Sequence, residues 1–258
     1  MPVRPGIALS GASVERWTKP GEPDRFHKSA APTWDRGLDA EAARLRWLAT
    51  TPFADRVAEV LHHGVDDDGL EHLVTTAVPG VDGVVLAERA VAAGDDAAIK
   101  ALATRYGAAL RELHDTLDPR AYPFDRRLDV RLAAAERRID EGGVDPADFE
   151  PEYADRTPQE LLALLCTTRP ADDEHEDDLV VGHGDWCYPN VLFDGDTPWA
   201  MVDLADLGVS SRWYDLGIGA RSTSHNLGDA AVPAFFEGYG IEPDDERVRY
   251  YILLDELQ

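Results

Sequence analysis

The apolar residues of this chain change their period near Pro79-Gly80, and that change limits the folds open to it. Before it, short β-prone runs alternate with turn signals: VERWT, KPGEPD, RFHK, and later RVAEVL and EHLVTTAV. An antiparallel sheet is expected there. It is interrupted by one helix over about 39–49, with Asp39 as N-cap and Ala40, Ala43, Leu45, Trp47 and Leu48 as its apolar set. After Pro79-Gly80, residues Ile99, Leu102, Tyr106, Ala109, Leu110 and Leu113 recur at helical spacing. Further helices are expected near 128–141, 158–165, 214–226, 230–239 and 244–257. The runs VLF and AMVD flank the turn-rich DGDTP and read as a hairpin. The expectation is an α+β protein of two lobes: a small antiparallel-sheet lobe with one helix at 1–78 and a larger, mainly helical lobe at 79–258.

Composition matters for what such a chain binds. Its formal charge of −25 over 258 residues argues against nucleic acid or an anionic membrane as partner and favours a cationic ligand, although acidity of this kind also serves solubility. No stretch of eighteen apolar residues occurs, and the opening MPVRPGIALSG does not read as a secretion signal. Two cysteines, Cys166 and Cys187, are too few for a disulfide framework. A cytoplasmic protein, monomeric or weakly dimeric, is expected.

The residues that carry chemistry cluster at His183-Gly184-Asp185-Trp186-Cys187-Tyr188-Pro189-Asn190, followed after the hairpin by Asp203. Phosphoryl transfer requires a group that orients the acceptor hydroxyl and takes its proton, and oxygen ligands that hold Mg²⁺ against the phosphates. Asp185, Asn190 and Asp203 supply those residue types, and four residues separate Asp185 from Asn190 as in kinase catalytic loops. His183 reads better as a buried residue shaping the loop than as a catalytic one. A zinc site through His175, His183 and Cys187 lacks the usual paired spacing. A phosphate-anchoring lysine on a strand is also required, and Lys28 is the best placed of three lysines, with Glu41 on the following helix as its partner. Ser10, in the segment Leu9 to Ser13 between two candidate strands, is placed to cover phosphates. At the far end, Asp255 and Glu256 close a helix whose dipole is already negative there, beside the carboxylate of Gln258; a nearby cation would resolve that repulsion.

The stretches VVGHGDWCYPNVLF, AMVDLADLGVSSRWYDLGIGARS and YYILLDEL, with DAEAARLRWLA, AVPG and LRELHDTLDPRAYPFDRRL, resemble the aminoglycoside 3′-phosphotransferases over nearly the whole chain. The resemblance implies a protein-kinase-like fold and transfer of the ATP γ-phosphate to an aminoglycoside hydroxyl with Mg²⁺, conferring antibiotic resistance. It implies Asp185 as catalytic base, Asn190 and Asp203 as metal ligands, Lys28 with Glu41 as the phosphate anchor, and Ser10 as a phosphate-loop contact. It further implies adenine hydrogen bonds from the backbone of Thr76 and Val78, and drug contacts from Glu150, Asp255, Glu256 and Gln258, with Asp148 nearby. The chain departs from the family at Ala205-Asp206, where many members carry Gly-Arg, and at Gln258, where they usually end in an aromatic residue. A kinase of another hydroxylated metabolite and a nucleotide-binding pseudokinase are the alternatives.

Overall fold

The turn at Pro20-Gly21 folds SVERW back onto RFHKSA, and Gly21 adopts the left-handed φ of 82° that a side chain would resist. The computed structural model describes residues 6–7, 12–31, 37–171, 175 and 178–258, so Ser10 lies outside the described residues. In chain order the first elements are β1 (Gly6–Ile7), β2 (Ser13–Trp17), β3 (Arg25–Ala30), α1 (Leu38–Leu48), β4 (Val60–Val65), β5 (Glu71–Thr76) and β6 (Val81–Asp82). There follow α2 (Gly83–Ala93), α3 (Asp96–Thr116), α4 (Leu128–Asp140), α5 (Pro158–Thr168), β7 (Leu179–Gly182), β8 (Val191–Asp194), β9 (Thr197–Met201), β10 (Gly208–Ser211), α6 (Arg212–Leu227), α7 (Val232–Tyr239) and α8 (Asp245–Asp255). No described helix is long and apolar enough to cross a membrane.

Two compact units result. The first comprises residues 1–83 together with 189–206, and the second comprises 84–188 and 207–258. The contiguous division expected at residues 78 and 79 does not anticipate that 189–206 pack with the N-terminal part. Pairing is the reason: β8 joins β6 on one side and β9 on the other, so the hairpin is hydrogen-bonded into the first unit.

Within that unit the larger sheet runs β1-β2-β3-β5-β4, antiparallel throughout. Lys28 is paired with Val14 on one side and Leu73 on the other, which fixes its position in the middle of the sheet. Helix α1 packs on β3, β4 and β5 through the buried Leu38, Ala42, Leu45 and Leu48. Its N-terminus corrects the sequence reading. Gly37, not Asp39, is the N-cap, and it makes no side-chain cap; the Glu71 carboxylate on β5 accepts from the Leu38 and Asp39 N–H groups, at 2.8 Å each. A cap supplied from a distant strand leaves no local signal. The run RVAEVL is likewise not a continuous strand, because a 3₁₀ turn over Ala54–Arg56 precedes it and β4 begins only at Val60.

The second unit is built on close helix contact. Helices α3 and α7 meet at glycines: a Cβ on Gly107 would lie 2.0 Å from the Phe235 carbonyl oxygen, and one on Gly238 would lie 1.9 Å from that of Thr104. Helix α6 packs against α8, α4 against α5, and β7 pairs with β10. Helix α2 and the β7–β10 ribbon were not anticipated, since each is too short or too uniformly apolar to show a period. Replacing Gly107 with Ala forces the α3–α7 backbones apart, and a loss of roughly 1–3 kcal/mol is expected. Urea unfolding of the variant against wild type measures it.

Candidate active site

A cavity of about 810 Å³ in the first unit is lined by Lys28 and Glu41, by Thr76 and Val78, and by Asn190 and Asp203. The pairing of β3 aims Lys28 at α1, where its ammonium donates to both oxygens of Glu41 at 2.9 Å and to Asp203 Oδ1 at 3.0 Å. Burial disfavours the charge on Lys28, but Glu41 and Asp203 outweigh it and hold the ammonium protonated above its ordinary range. Asp203 is the single described non-glycine residue in the left-handed region, with φ 59°, and its side chain remains half-exposed beyond the end of β9. A strained carboxylate held at a cavity by one hydrogen bond to an ammonium suits a group that changes partner when a ligand arrives. Asn190 is buried, and its backbone carbonyl accepts from Val202 N–H at 3.0 Å, which ties the loop to the end of the hairpin.

In the second unit, Asp185 sits half-buried in the segment after β7, and the segment is held by side chains from α6 and α3. The buried carboxylate of Asp215, on the first turn of α6, accepts from His183 N–H at 2.7 Å and Gly184 N–H at 2.8 Å. Since Asp215 is the acceptor, His114 Nε2 donates to it at 3.0 Å, which leaves His114 Nδ1 to accept from Tyr239 O–H at 2.9 Å. Burial alone would raise the Asp215 pKa, but His114, His183 and the Gly184 N–H together draw it below its ordinary value. Gly182 makes the approach possible, because a Cβ there would fall 2.7 Å from Asp215 Oδ2. From α3, Tyr106 O–H donates to the Trp186 carbonyl at 2.6 Å and its ring stacks on Tyr188 with centroids 4.1 Å apart. His183 is fully buried, and its Nδ1 accepts from Asp185 N–H at 3.2 Å. Among the described residues, no three His, Cys, Asp or Glu side chains gather as a metal site.

The C-terminal carboxylates meet the cation their helix end required. Arg221, on α6, donates to Asp255 Oδ2 and, at 3.2 Å, to Glu256 Oε1, and lies 3.9 Å from Glu150 Oε1. Three of the expected substrate-binding residues are thus brought together. Asp148 is not among them; it is exposed on a 3₁₀ turn over Pro146–Asp148. Gln258 instead donates through its side-chain amide to the Arg131 carbonyl at 3.3 Å.

Sequence reasoning did not single out Asp215, His114 or Arg221. A signal for His114 exists in hindsight: it lies four residues after Leu110 on the buried face of α3, where an imidazole needs a polar partner. Phe26, which lines the same cavity as Lys28, and Arg16, whose guanidinium lies 5.9 Å from the Phe26 ring centroid and which pairs with Asp24, also went unnoticed.

Comparison with known proteins shows what the chain is similar to. The profile of the phosphotransferase enzyme family matches residues 8–251. An aminoglycoside 3′-phosphotransferase of Niallia circulans is 36% identical over 90% of this chain and 83% of its own. A streptomycin 3″-kinase of Streptomyces griseus is 37% identical over 96% and 89%. Among solved structures, the aminoglycoside phosphotransferase APH(3″)-Id from Streptomyces rimosus in complex with ADP and streptomycin superposes with a TM-score of 0.79 at 27% identity, covering 97% of this chain and 93% of that one.

The hydrogen-bond pattern around Asp215 makes a sharp demand on that position. Asp215→Asn presents an amide N–H₂ to groups that are themselves donors, so one buried donor loses its acceptor at a cost of about 1–3 kcal/mol. Thermal unfolding is expected to show a lowered midpoint, and steady-state assays a lowered kcat with nucleotide affinity retained.

Proposed function

The chain belongs to the phosphotransferase enzyme family, and on that premise we propose that it transfers the γ-phosphate of ATP to a hydroxyl of an aminoglycoside, the 3′-hydroxyl of kanamycin- and neomycin-type drugs, and so confers resistance. The observation that carries this reading is the cavity in which one ammonium, Lys28, is held between Glu41 and Asp203 with Asn190 on the same wall.

In this reading Lys28, fixed by Glu41, holds the α- and β-phosphates, and the backbone of Thr76 and Val78 hydrogen-bonds adenine, with Phe26 against the base. Asn190 and Asp203 are hard oxygen donors at one cavity, a set that suits Mg²⁺ completed by phosphate oxygens and water. Bound there, the metal neutralises phosphate charge. Lys28 would then leave Asp203 for the phosphates, exchanging one anionic partner for another. Asp185 orients the acceptor hydroxyl and takes its proton; Asp215 and Tyr106 fix the segment that carries it, so positioning rather than covalent chemistry supplies the rate. Glu150, Asp255 and Glu256 recognise ammonium groups of the drug. ATP as donor and two free cysteines fit a cytoplasmic enzyme.

The streptomycin 3″-kinase relative is as similar as the 3′-phosphotransferase, which favours the 3″-hydroxyl as the second reading. Mass spectrometry of kanamycin and, separately, of streptomycin incubated with enzyme and MgATP tests both: one added phosphate on kanamycin is expected from the first reading, and one on streptomycin from the second. No added phosphate on any aminoglycoside overturns the proposal. Asp185→Asn is expected to lower kcat by at least about 10²-fold while a fluorescent ATP analogue still binds; near-wild-type turnover would exclude Asp185 as the base.

A further inference from the structure

The carboxylates near the end of α8 share a resident cation, and their oxygens are not equally free. Each Asp255 oxygen already accepts a hydrogen bond, Oδ1 from Tyr214 O–H at 2.8 Å and Oδ2 from Arg221. Glu256, only 4% exposed, is engaged as well: Arg221 donates to Oε1 at 3.2 Å and the Glu150 backbone N–H to Oε2 at 2.9 Å. Glu150 differs. Its Oε1 lies 3.9 Å from Arg221 and 3.5 Å from His225, and its Oε2 accepts no hydrogen bond from the described residues. Glu150, Arg221 and His225 line a cavity of about 450 Å³ in the second unit.

We propose that Arg221 is a positioning residue that sets acceptor specificity: it gathers Glu150, Asp255 and Glu256 around one fixed cation and leaves the outer oxygen of Glu150 open to the first ammonium group. The inference rests on the proposed function and deepens it. Three carboxylates about one guanidinium leave two negative charges in surplus, so an acceptor with one ammonium compensates half of the surplus and a polyammonium acceptor compensates all of it. A guanidinium suits this role because it stays protonated and its fork donates in several directions at once.

Without Arg221 the buried Glu256 would keep one hydrogen bond, from the Glu150 backbone N–H, beside the like charges of Glu150 and Asp255. Burial already pushes its carboxyl up, against the pull of the Glu150 N–H and Arg221. The groups around it are Glu150, Glu152 and Tyr153 from the preceding turns, Tyr214, Arg221 and His225 from α6, and Arg249 and Asp255 from α8. Of the cations among these, Arg221 alone hydrogen-bonds Glu256. Its loss would remove one of the two groups that oppose the effect of burial on Glu256, and the three carboxylates would lose the cation that gathers them.

The test is steady-state kinetics of wild type and Arg221→Gln with kanamycin and MgATP from pH 6 to 9, with glucosamine as a single-ammonium competitor. At pH 7 the variant KM for kanamycin is expected to rise at least about tenfold while kcat changes by less than about threefold. The preference for kanamycin over glucosamine should contract in the variant, and its KM ratio to wild type should not rise with pH, since a carboxyl whose pKa is raised regains charge as pH increases. A KM ratio within about twofold of unity, a ratio that rises with pH, or a lowered KM overturns the proposal. Should Arg221→Gln fail to fold, the ranking of two other variants decides. Glu150→Gln must raise KM more than Asp255→Asn, because only Glu150 offers an open oxygen; the reverse order refutes the proposal. If wild type phosphorylates no aminoglycoside, it is the proposed function that has failed. Activity in wild type with an unchanged Arg221→Gln profile removes this inference alone.

Discussion

One buried carboxylate organises the catalytic half of this protein. Asp215 accepts hydrogen bonds from two consecutive backbone N–H groups of the segment that carries Asp185 and from an imidazole on α3, which in turn accepts from a tyrosine on α7. A carboxylate without exposure survives only where donors surround it, and those donors come from two stretches of chain distant from α6 in sequence. The network therefore does two things with the same bonds. It joins helices α3, α6 and α7, and it dictates the course of the backbone between Gly182 and Trp186. The glycines at 182, 107 and 219 serve that arrangement by letting backbone and side chains approach where a methyl group would intrude.

The same economy governs the other charges. The chain has half as many lysines and arginines as acidic residues, so a buried cation is shared by several carboxylates. Lys28 serves two and Arg221 serves three. At Lys28 the two carboxylates hold the ammonium protonated against burial, and Asp203, in the left-handed region, is the more exposed partner. At Arg221 the surplus remains negative, which suits recognition of a polycation. In the proposed function this distribution lets an acidic protein take both an anionic nucleotide and a cationic acceptor, with scarce positive charge at one site and surplus negative charge at the other.

How much of this was legible in the string depends on the range of each interaction. The spacing from Asp185 to Asn190 and on to Asp203 spans one loop and one hairpin, so residue types and turn signals suffice to find it. The pairing of Lys28 with Glu41 was within reach because a strand and the next helix are neighbours in sequence. The N-terminus of α1 was misread because its cap, Glu71, arrives from a strand two elements on. Asp255 and Glu256 posed a visible electrostatic problem, yet Arg221, which answers it, lies more than thirty residues upstream.

The sequence by itself determined the change from sheet to helix, the residue types of the candidate catalytic loop and the excess of negative charge, because periodicity, spacing and composition are properties of the chain read locally. Only the tertiary structure decided that residues 189–206 pack with the first unit, that Asp215 holds the loop, and that one arginine occupies the middle of the C-terminal carboxylates. These are matters of which distant groups meet, and burial alone makes such meetings obligatory: a charged or hydrogen-bonding group removed from water must find its partner wherever the packing of apolar faces has brought one.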